Sequence, residues 1–240
     1  MNAQRIASAL IRRAVVPLTP ARRRLQLLAW TNRSLEGGEP ELAKLDRLVP
    51  PGCRTAVDAG ANTGLYTLRL ARLCRTVYAF EINPGVTGHL QRARLPNVHL
   101  MHVGLSSAAG PAVLYIPLLH GKMPLEGWGS LTPGNCPDTD VHRQITGQVR
   151  TLDSYRLVDV DFMKIDVEGH EIELLKGARE TLTRYRPRVL AEAKNLQPVA
   201  DLLAPLGYRP RRAAEFGVAG SPPWMHVFET AVSLAATRRS

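Results

Sequence analysis

Residues 55–64, TAVDAGANTG, place a carboxylate beside two glycines in a pattern that could hold a ligand. A β-branched run leads to Asp58, and Gly60 and Gly64 follow on either side of Asn62. Gly60 would let the backbone turn tightly, and Gly64 would let the next helix begin close to a bound molecule. An acid here would repel the pyrophosphate that the Gly-x-Gly-x-x-Gly loop of dinucleotide binders holds. It would suit the ammonium of an amino-acid moiety, which indicates S-adenosylmethionine.

A second carboxylate, Glu81, follows the next β-rich run, 23 residues after Asp58. A carboxylate at the end of a second parallel strand can accept hydrogen bonds from the two hydroxyls of a ribose. Asn83 is better explained as the turn residue before Pro84 than as a ligand contact. Acids at two successive strand ends favour a nucleoside-type cofactor, and helix capping by each carboxylate is the alternative.

The stretch DFMKIDVEGHE at 161–171 places acids and an imidazole after a further strand. Asp166 ends the strand, and Glu168 and His170 lie in the turn to the following helix. A histidine here could take the proton of an attacking hydroxyl while a carboxylate orients it. The alternative is that Glu168 and Glu171 favour the helix N-terminus and that His170 caps it.

Short strands and helices alternate from residue 55 onward, which predicts an α/β fold with a parallel sheet covered by helices. The predicted strands are 55–60, 76–81, 98–103, 161–166 and 188–193, and the predicted helices are 65–74, 86–93, 170–185 and 196–207. The carboxyl ends of such strands meet at one edge of the sheet, so the acids above should lie close together.

The alternation is interrupted at about residues 111–150, where two predicted strands, 112–117 and 148–152, flank a segment rich in Gly and Pro. We interpret it as an inserted hairpin whose tip helps to form a substrate pocket; a surface loop without function is the alternative. Trp128, within this segment, would either stack on a sugar ring or anchor the loop to the core.

The net charge of +10 comes mostly from the N-terminus, because residues 1–33 hold seven arginines and no acid. We therefore predict a basic helical extension at 1–48 and a main domain at 49–240. A basic amphipathic arm suits contact with an anionic membrane surface or with phosphates, and a solvated helix packed on the domain is equally compatible.

Composition argues for a cytoplasmic protein, with the arm in peripheral contact with the inner membrane face as an option. There is no apolar run of about 20 residues, and the stretch before Arg12 is too short for a secretory signal. The three cysteines, Cys53, Cys74 and Cys136, form no CxxC pair, and no HExxH pair is present. No metal site is predicted from spacing, although Asp166, Glu168 and His170 are ligand types that leave metal dependence open.

From about residue 55 to 195 the chain resembles the FkbM-type methyltransferases, a class of S-adenosylmethionine-dependent O-methyltransferases. The resemblance rests on VDAGANTGLYTL, VYAFEINP, VHLMHVGLSS, VRTLDS and DFMKIDVEGHEIELLKGARETL, and KIDVEGHE is its most specific block. It implies a doubly wound, Rossmann-like class I methyltransferase sheet of seven strands whose last pair, expected at YRPRRA and PWMHVFET, is antiparallel. It also implies methyl transfer to a hydroxyl of a sugar, a glycolipid or a polyketide-type natural product.

The resemblance assigns site residues by position. The cofactor-binding residues it implies are Asp58, Gly60, Asn62, Gly64, Tyr66, Glu81, Gly104, Leu105 and Ser106, and the catalytic ones are Asp166, His170 and Glu192. The family often has an acid after the serine that matches Ser106, where this chain has Ser107 and Ala108. The resemblance therefore gives less support to polar recognition of the adenine. It also often has Glu-x-His after the fifth strand, where this chain reads Glu192-Ala193-Lys194. The general base is therefore open between His170 and Asp166, with Lys194 as a substitute for the absent histidine.

Two other functions fit parts of the sequence. A nucleic-acid methyltransferase would use the basic arm, but such enzymes often carry an Asn-Pro-Pro-aromatic motif after the fourth strand, where this chain has DVEG. We therefore expect no nucleic-acid partner. A non-catalytic, cofactor-binding scaffold at a membrane or a partner enzyme is the second alternative.

Overall fold

The computed structural model describes residues 15–35, 38–119, 122–133, 135 and 142–231. Residues 1–14, 36 and 37 of the predicted arm, and Cys136, lie outside these ranges. The strands, in chain order, are β1 (Thr55–Ala59), β2 (Thr76–Phe80), β3 (Val98–Met101), β4 (Gly104–Leu105), β5 (Gly110–Leu119), β6 (Met123–Pro124), β7 (His142–Arg150), β8 (Val160–Ile165), β9 (Arg188–Glu192), β10 (Tyr208–Arg212) and β11 (Met225–Thr230).

Helices cover the faces of the strands and connect them. They are α1 (Ala21–Leu35), α2 (Pro40–Ala43), α3 (Leu45–Leu48), α4 (Leu65–Leu73), α5 (Gly88–Ala93), α6 (Glu171–Lys176), α7 (Arg179–Tyr185) and α8 (Leu196–Leu203). Within the described residues, no helix combines the length and the apolar character that a membrane crossing requires.

The main sheet has seven strands in the order β10-β11-β9-β8-β1-β2-β3. The five strands from β9 to β3 run parallel, whereas β11 is antiparallel to both β9 and β10. This arrangement confirms the predicted α/β class, including the antiparallel last pair. Ala59 of β1 pairs with Phe80 of β2 and with Ile165 of β8. The residues that follow these three strand ends are therefore brought to one edge of the sheet.

Both faces of the main sheet are buried, as expected when helices cover a parallel sheet on two sides. All five residues of β1 are buried. Val57 and Ala59 pack into one apolar cluster with residues of β8, α6 and α8, while Ala56 packs into another with Phe162 and Leu190. Alternation along the strand thus divides the core into two layers that hold the sheet edge in place.

The predicted helix at 170–185 is wrong in one respect, because the structure divides it into α6 and α7. A Cβ atom at Gly177 would overlap the carbonyl oxygen of Ser106, so the chain passes this point only as glycine. The carboxylate of Asp153 then accepts the backbone N–H groups of Glu180 and Thr181, at 2.9 Å each, and so satisfies donors at the start of α7.

A second sheet is formed by the inserted segment, in the strand order β4-β7-β5-β6. β5 and β7 pair antiparallel over eight residues, from Gly110↔Val149 to Pro117↔His142, and β4 pairs parallel to β7. The described residues after β6 fold back over the carboxyl edge of the main sheet, with a short 3-10 helix at Glu126–Trp128. We refer to residues 124–133 as the roof segment.

Candidate active site

A cleft lies where β1, β2 and β8 end, beneath the roof segment. We refer to it as the sheet-edge cleft. It encloses about 640 Å³ of space not filled by protein atoms, including open solvent at its mouth. Of the residues predicted to bind cofactor, it is lined by Gly60, Asn62, Glu81, Gly104 and Leu105. Asp166 lines it as well.

Glu81 is held in the cleft by backbone hydrogen bonds. Its Oε2 accepts the N–H of Asn62 and its Oε1 accepts the N–H of Asn83, both at 2.8 Å. Burial raises the pKa of Glu81, although these two N–H groups oppose the rise. Each carboxylate oxygen has a second lone pair, so Glu81 can still accept two hydroxyl donors from a ligand.

The loop after β1 requires glycine at position 60. Gly60 has a φ of +77°, and a Cβ atom there would overlap the carbonyl oxygen of Asp166. Gly64 has a φ of +93°, and its Cβ would lie 2.8 Å from the Cβ of Leu90 on α5. Gly60 therefore brings two strand ends together at the cleft, whereas Gly64 lets α4 begin against a neighbouring helix and does not line the cleft.

A buried charge network lies below the cleft. Lys164 of β8 donates to the carbonyl oxygen of Gly60 and to Oδ2 of Asp166, both at 3.1 Å, and lies 3.8 Å from Oδ1 of Asp58. Asp58 has no exposed surface and accepts the hydroxyl of Thr67 at 2.5 Å. The Lys164 ammonium also lies 4.8 Å from the ring centre of Tyr66. Asp58 and Tyr66 thus lie behind the loop, away from the lining of the cleft.

Lys164 is a residue that the sequence analysis did not single out. Burial alone would lower its pKa, but the carboxylates of Asp166 and Asp58 outweigh burial and raise it, so the ammonium stays charged. The signal in the sequence is a lysine next to the apolar residues Met163 and Ile165 in β8, whose sequence is VDFMKI. Such a lysine needs a buried partner because isolated charges are expensive to bury.

A second cleft adjoins the first, and we refer to it as the acid-lined cleft. The two share Asn62, Glu126, Gly127, Asp166 and Glu168 as lining residues. The acid-lined cleft also contains Glu39, Glu192 and Trp128, whose exposed fraction is 51%. Five carboxylates and one exposed aromatic ring therefore face a space that is continuous with the sheet-edge cleft.

Glu192, one of the predicted catalytic residues, lies at the end of β9 in the acid-lined cleft. Burial, followed by the negative charges of Asp166 and Glu168, raises its pKa to about 7. Lys194 opposes this rise, with its Nζ 3.8 Å from Oε1 of Glu192 and 3.2 Å from Oε2 of Glu168. A carboxylate that titrates near neutral pH can both accept and release a proton under ordinary conditions.

His170, a predicted catalytic residue, and Ser106, a predicted cofactor-binding residue, lie next to each other but outside both clefts. Nε2 of His170 is 3.0 Å from Oγ of Ser106, and burial lowers the pKa of His170. Neither residue lines the sheet-edge cleft or the acid-lined cleft. His170 also precedes the first residue of α6, and its carbonyl accepts the N–H of Leu174. The structure thus places this pair where it joins the turn after β4 to α6.

The roof segment is attached to the sheet edge by side-chain hydrogen bonds. Ser130 is fully buried, and its hydroxyl donates to the carbonyl oxygen of Glu168 at 2.6 Å, as does the amide of Asn135. The amide of Asn62 donates to the carbonyl of Gly127 at 3.2 Å. These bonds place the roof over both clefts. In the sequence, the signal for it is the segment rich in Gly and Pro that we interpret as the tip of a hairpin beside a substrate pocket.

Asn83 and Glu126 form a further attachment of the roof. The Asn83 amide donates to the carbonyl oxygen of Glu126 at 3.2 Å and to its Oε2 at 3.0 Å, and Arg143 of β7 donates to both Glu126 carboxylate oxygens. Asn83 is also the turn residue that the sequence predicted, since its Oδ1 accepts the N–H of Gly85. No group of three or more His, Cys, Asp or Glu side chains in the described ranges is arranged to hold a metal ion.

Comparison with known proteins places this site in a family. The family model described as the Methyltransferase FkbM domain matches residues 58–210. The hexuronic acid methyltransferase AglP of Haloferax volcanii is 29% identical over 137 residues, which cover 52% of this chain and 50% of that protein. This chain therefore spans about half the length of that curated relative. The crystal structure of methyltransferase FkbM from Methylobacillus flagellatus KT has a TM-score of 0.51 at 18% identity, covering 92% of this chain and 60% of that one.

Proposed function

Because this chain belongs to the FkbM methyltransferase family, we propose that it transfers a methyl group from S-adenosylmethionine to a hydroxyl of a sugar, either free or within a glycolipid or a glycosylated natural product. The observation that carries this proposal is the pair of adjoining clefts. The sheet-edge cleft offers Glu81 to a nucleoside, and the acid-lined cleft offers carboxylates and Trp128 to a sugar ring. Asp166 lies on the wall that the two clefts share.

The residues of the sheet-edge cleft fit S-adenosylmethionine, which supplies an electrophilic methyl group on a sulfonium when it is bound. The free lone pairs of Glu81 suit the two ribose hydroxyls. Ile82, Gly104 and Leu105 offer an apolar wall to the adenine. Gly60 has no side chain to obstruct the close approach of the methionine part, which is the use that the sequence predicted for this loop.

The acid-lined cleft supports a sugar as the acceptor. Carboxylates accept hydrogen bonds from ring hydroxyls, and the exposed face of Trp128 offers an apolar surface on which a sugar ring can stack. The curated relative acts on hexuronic acid, according to its name, so a related protein also modifies a sugar. Together these features favour a carbohydrate over a purely apolar acceptor.

We assign the role of general base to Glu192. Its pKa of about 7 lets the carboxylate take the proton from the acceptor hydroxyl near neutral pH, and Asp166 would hold that hydroxyl in line. The roof segment covers the reacting groups and keeps bulk water away. His170 keeps the structural position beside Ser106, so we place it outside the proton path.

The test combines cofactor binding with methyl transfer. Calorimetric titration of the wild-type protein with S-adenosylmethionine, with NAD as the control ligand, should give binding for the former alone. Transfer of a labelled methyl group is then assayed on the methyl glycosides of glucose, mannose, glucosamine and glucuronic acid. Glu192→Gln should lose about a hundredfold or more of the transfer rate while it keeps cofactor affinity. The matched control is Glu215→Gln, an exposed carboxylate bound to Arg211 and Arg212.

Two results would contradict the proposal. Absence of S-adenosylmethionine binding by the folded wild-type protein would exclude a methyltransferase of this kind. Full transfer activity in Glu192→Gln would exclude that residue as the base and return His170 and Asp166 to consideration.

We also propose that the arm carries the protein to an anionic membrane face, where a lipid-linked sugar would be available. Arg22 and Arg23 are exposed on α1, as are Trp30, at 51%, and Leu18, at 86%. Exposed apolar and basic side chains on one helix and its approach are typical of interfacial binding. Co-sedimentation with vesicles of anionic lipid should exceed that with neutral vesicles and fall in Arg22→Gln/Arg23→Gln. Equal binding to both kinds of vesicle would contradict this role.

A further inference from the structure

Lys164 is a buried cation whose contacts reach both clefts. Only 4% of its side chain is exposed, and its ammonium lies among oxygen atoms of three residues. Two of them, the Gly60 carbonyl oxygen and Asp166 Oδ2, are at 3.1 Å and belong to residues that line the sheet-edge cleft. The third, Asp58 Oδ1, is farther away, at 3.8 Å. The shorter contacts of Lys164 are thus those made to the residues of the site.

Neutralisation of Asp58 alone does not explain this geometry, because the Lys164 ammonium lies closer to the carboxylate of Asp166, at 3.1 Å, than to that of Asp58, at 3.8 Å. A lysine whose purpose was to neutralise the buried Asp58 would form its shortest contact with that carboxylate. Instead Asp58 has a hydrogen bond of 2.5 Å from Thr67, while Lys164 joins the loop after β1 to the end of β8. Lys164 therefore bridges Gly60 and Asp166, both of which line the sheet-edge cleft.

We propose that Lys164 is a positioning residue for methyl transfer, which acts through Asp166 and the Gly60 carbonyl to set both the cofactor loop and the carboxylate shared by the two clefts. This inference rests on the function proposed above. Lys164 itself does not line either cleft, so it acts only through these neighbours. Removal of its ammonium should loosen the loop after β1 and let Asp166 turn away from the acceptor.

Loss of Lys164 would also affect Glu192, the proposed general base. The charged groups that face Glu192 are Asp166 and Glu168, which raise its pKa, and Lys194 and Lys164, which lower it. Without Lys164 the pKa of Glu192 should rise further above neutrality. The alkaline shift of the pH profile is therefore a readout that loss of packing alone would not produce.

The experiment is a double-mutant cycle with Asp58→Asn, Lys164→Met and the double variant. Lys164→Met alone leaves Asp58 buried without a cation and should lower stability strongly. The double variant removes both charges and should recover most of that loss, as measured by urea unfolding. We nevertheless expect the double variant to bind S-adenosylhomocysteine about tenfold more weakly than Asp58→Asn. We also expect a midpoint of kcat/KM against pH that is about half a unit higher or more.

The matched control is Lys194→Met. Lys194 faces Glu168 and Glu192 from the exposed side and forms no hydrogen bond or ion pair with Gly60 or Asp166 among the described residues. Its loss should leave the affinity for S-adenosylhomocysteine unchanged. The double variant also keeps the test valid if Lys164→Met does not fold.

The proposal requires that the double variant, compared with Asp58→Asn, both binds S-adenosylhomocysteine more weakly and has a higher pH midpoint of kcat/KM. If the double variant matches Asp58→Asn in either S-adenosylhomocysteine affinity or pH midpoint, Lys164 is a counter-ion of Asp58 and the inference is overturned. This outcome differs from a failure of the proposed function, in which the wild-type protein itself would bind no S-adenosylhomocysteine.

Discussion

The sheet edge and the roof segment enclose the same clefts, but they are held in place differently. Gly60, Glu81 and Asp166 follow strands whose ends are aligned by register, and Glu81 is bound to two backbone N–H groups. The roof is attached to the edge by side-chain bonds, such as that from Ser130 to the Glu168 carbonyl, and, among the described residues, by backbone bonds only to β5, between Ser130 and Tyr115 and from Leu125 to Pro117. The edge therefore depends on the whole main sheet, whereas the position of the roof over that edge depends on a few replaceable side-chain contacts.

This difference suggests a division of labour. A cofactor common to many methyltransferases needs a site that changes little, and a site made from strand ends meets that need. An acceptor that differs between enzymes needs a surface that can change without unfolding the core, and an inserted segment provides one. Changes at the edge should therefore affect stability and cofactor affinity, and changes in the roof should affect the acceptor.

The largest effect is expected for Gly60→Ala. A left-handed φ costs a non-glycine residue about 1–2 kcal/mol, and the overlap of its Cβ with the Asp166 carbonyl oxygen should add about 1–3 kcal/mol. Urea unfolding should show the sum of these losses. The control is Gly207→Ala, where φ is +86° and a Cβ would meet no atom within 4 Å, so that only the first cost applies. Equal losses in the two variants would show that the strand ends can separate easily.

Glu81→Gln should weaken S-adenosylhomocysteine binding by about ten- to a hundredfold and lower stability by about 1–3 kcal/mol, because one buried N–H group loses its acceptor. Glutamine keeps one acceptor oxygen, but its amide would face the N–H of Asn62 or of Asn83. Calorimetry measures the affinity. Asp161→Asn serves as the control, because that carboxylate binds Arg54 at the other end of β8. Unchanged affinity in Glu81→Gln would remove the sheet edge as the nucleoside site.

The pH dependence of methyl transfer tests both regions together, because Glu192 lies at the end of β9 and faces the cleft that the roof covers. With its pKa raised to about 7, Glu192 is protonated at lower pH, so kcat/KM should rise with pH and be about tenfold lower at pH 6 than at pH 8. Lys194→Met should move the midpoint upward, because Lys194 stabilises the ionised form. A profile that is flat from pH 5 to 8 would contradict Glu192 as the base.

The smallest effect is expected for Ser130→Ala in the roof. The variant loses the bond to the Glu168 carbonyl and the bond that the hydroxyl accepts from the Thr132 N–H. At about 1 kcal/mol for each, the KM for the acceptor should rise about fivefold or more, with S-adenosylhomocysteine affinity within about twofold of the wild-type value. Steady-state kinetics and calorimetry measure these two quantities. Ser154→Ala is the control, since its exposed hydroxyl bonds to the Thr151 carbonyl far from the roof. A loss of cofactor affinity equal to the change in KM would mean that the two regions are not separable.

The sequence by itself determined the family and the architecture. The FkbM resemblance is confirmed, and so is the sheet of seven strands with an antiparallel last pair that it implied. The α/β class, which the periodicities of strands and helices predicted, is confirmed because such periodicities are local properties of the chain. Five of the nine predicted cofactor residues, and Asp166, line the sheet-edge cleft, and each is at the end of a strand or in the turn that follows. Their assignment to the cofactor remains a prediction.

Only the tertiary structure decided how the remaining residues are used. The sequence leaves the general base open between His170 and Asp166 and names Glu192 only as a further catalytic residue, but contacts between distant segments place His170 against Ser106 and Glu192 in the acid-lined cleft. At the break in the predicted helix at 170–185, Ser106 approaches Gly177 and the Asp153 carboxylate accepts N–H groups at the start of α7. The role proposed for Lys164 likewise depends on long-range contacts, because its partners Gly60 and Asp58 lie more than a hundred residues away in sequence. Burial and partner choice are set by such long-range contacts, which local residue patterns do not encode.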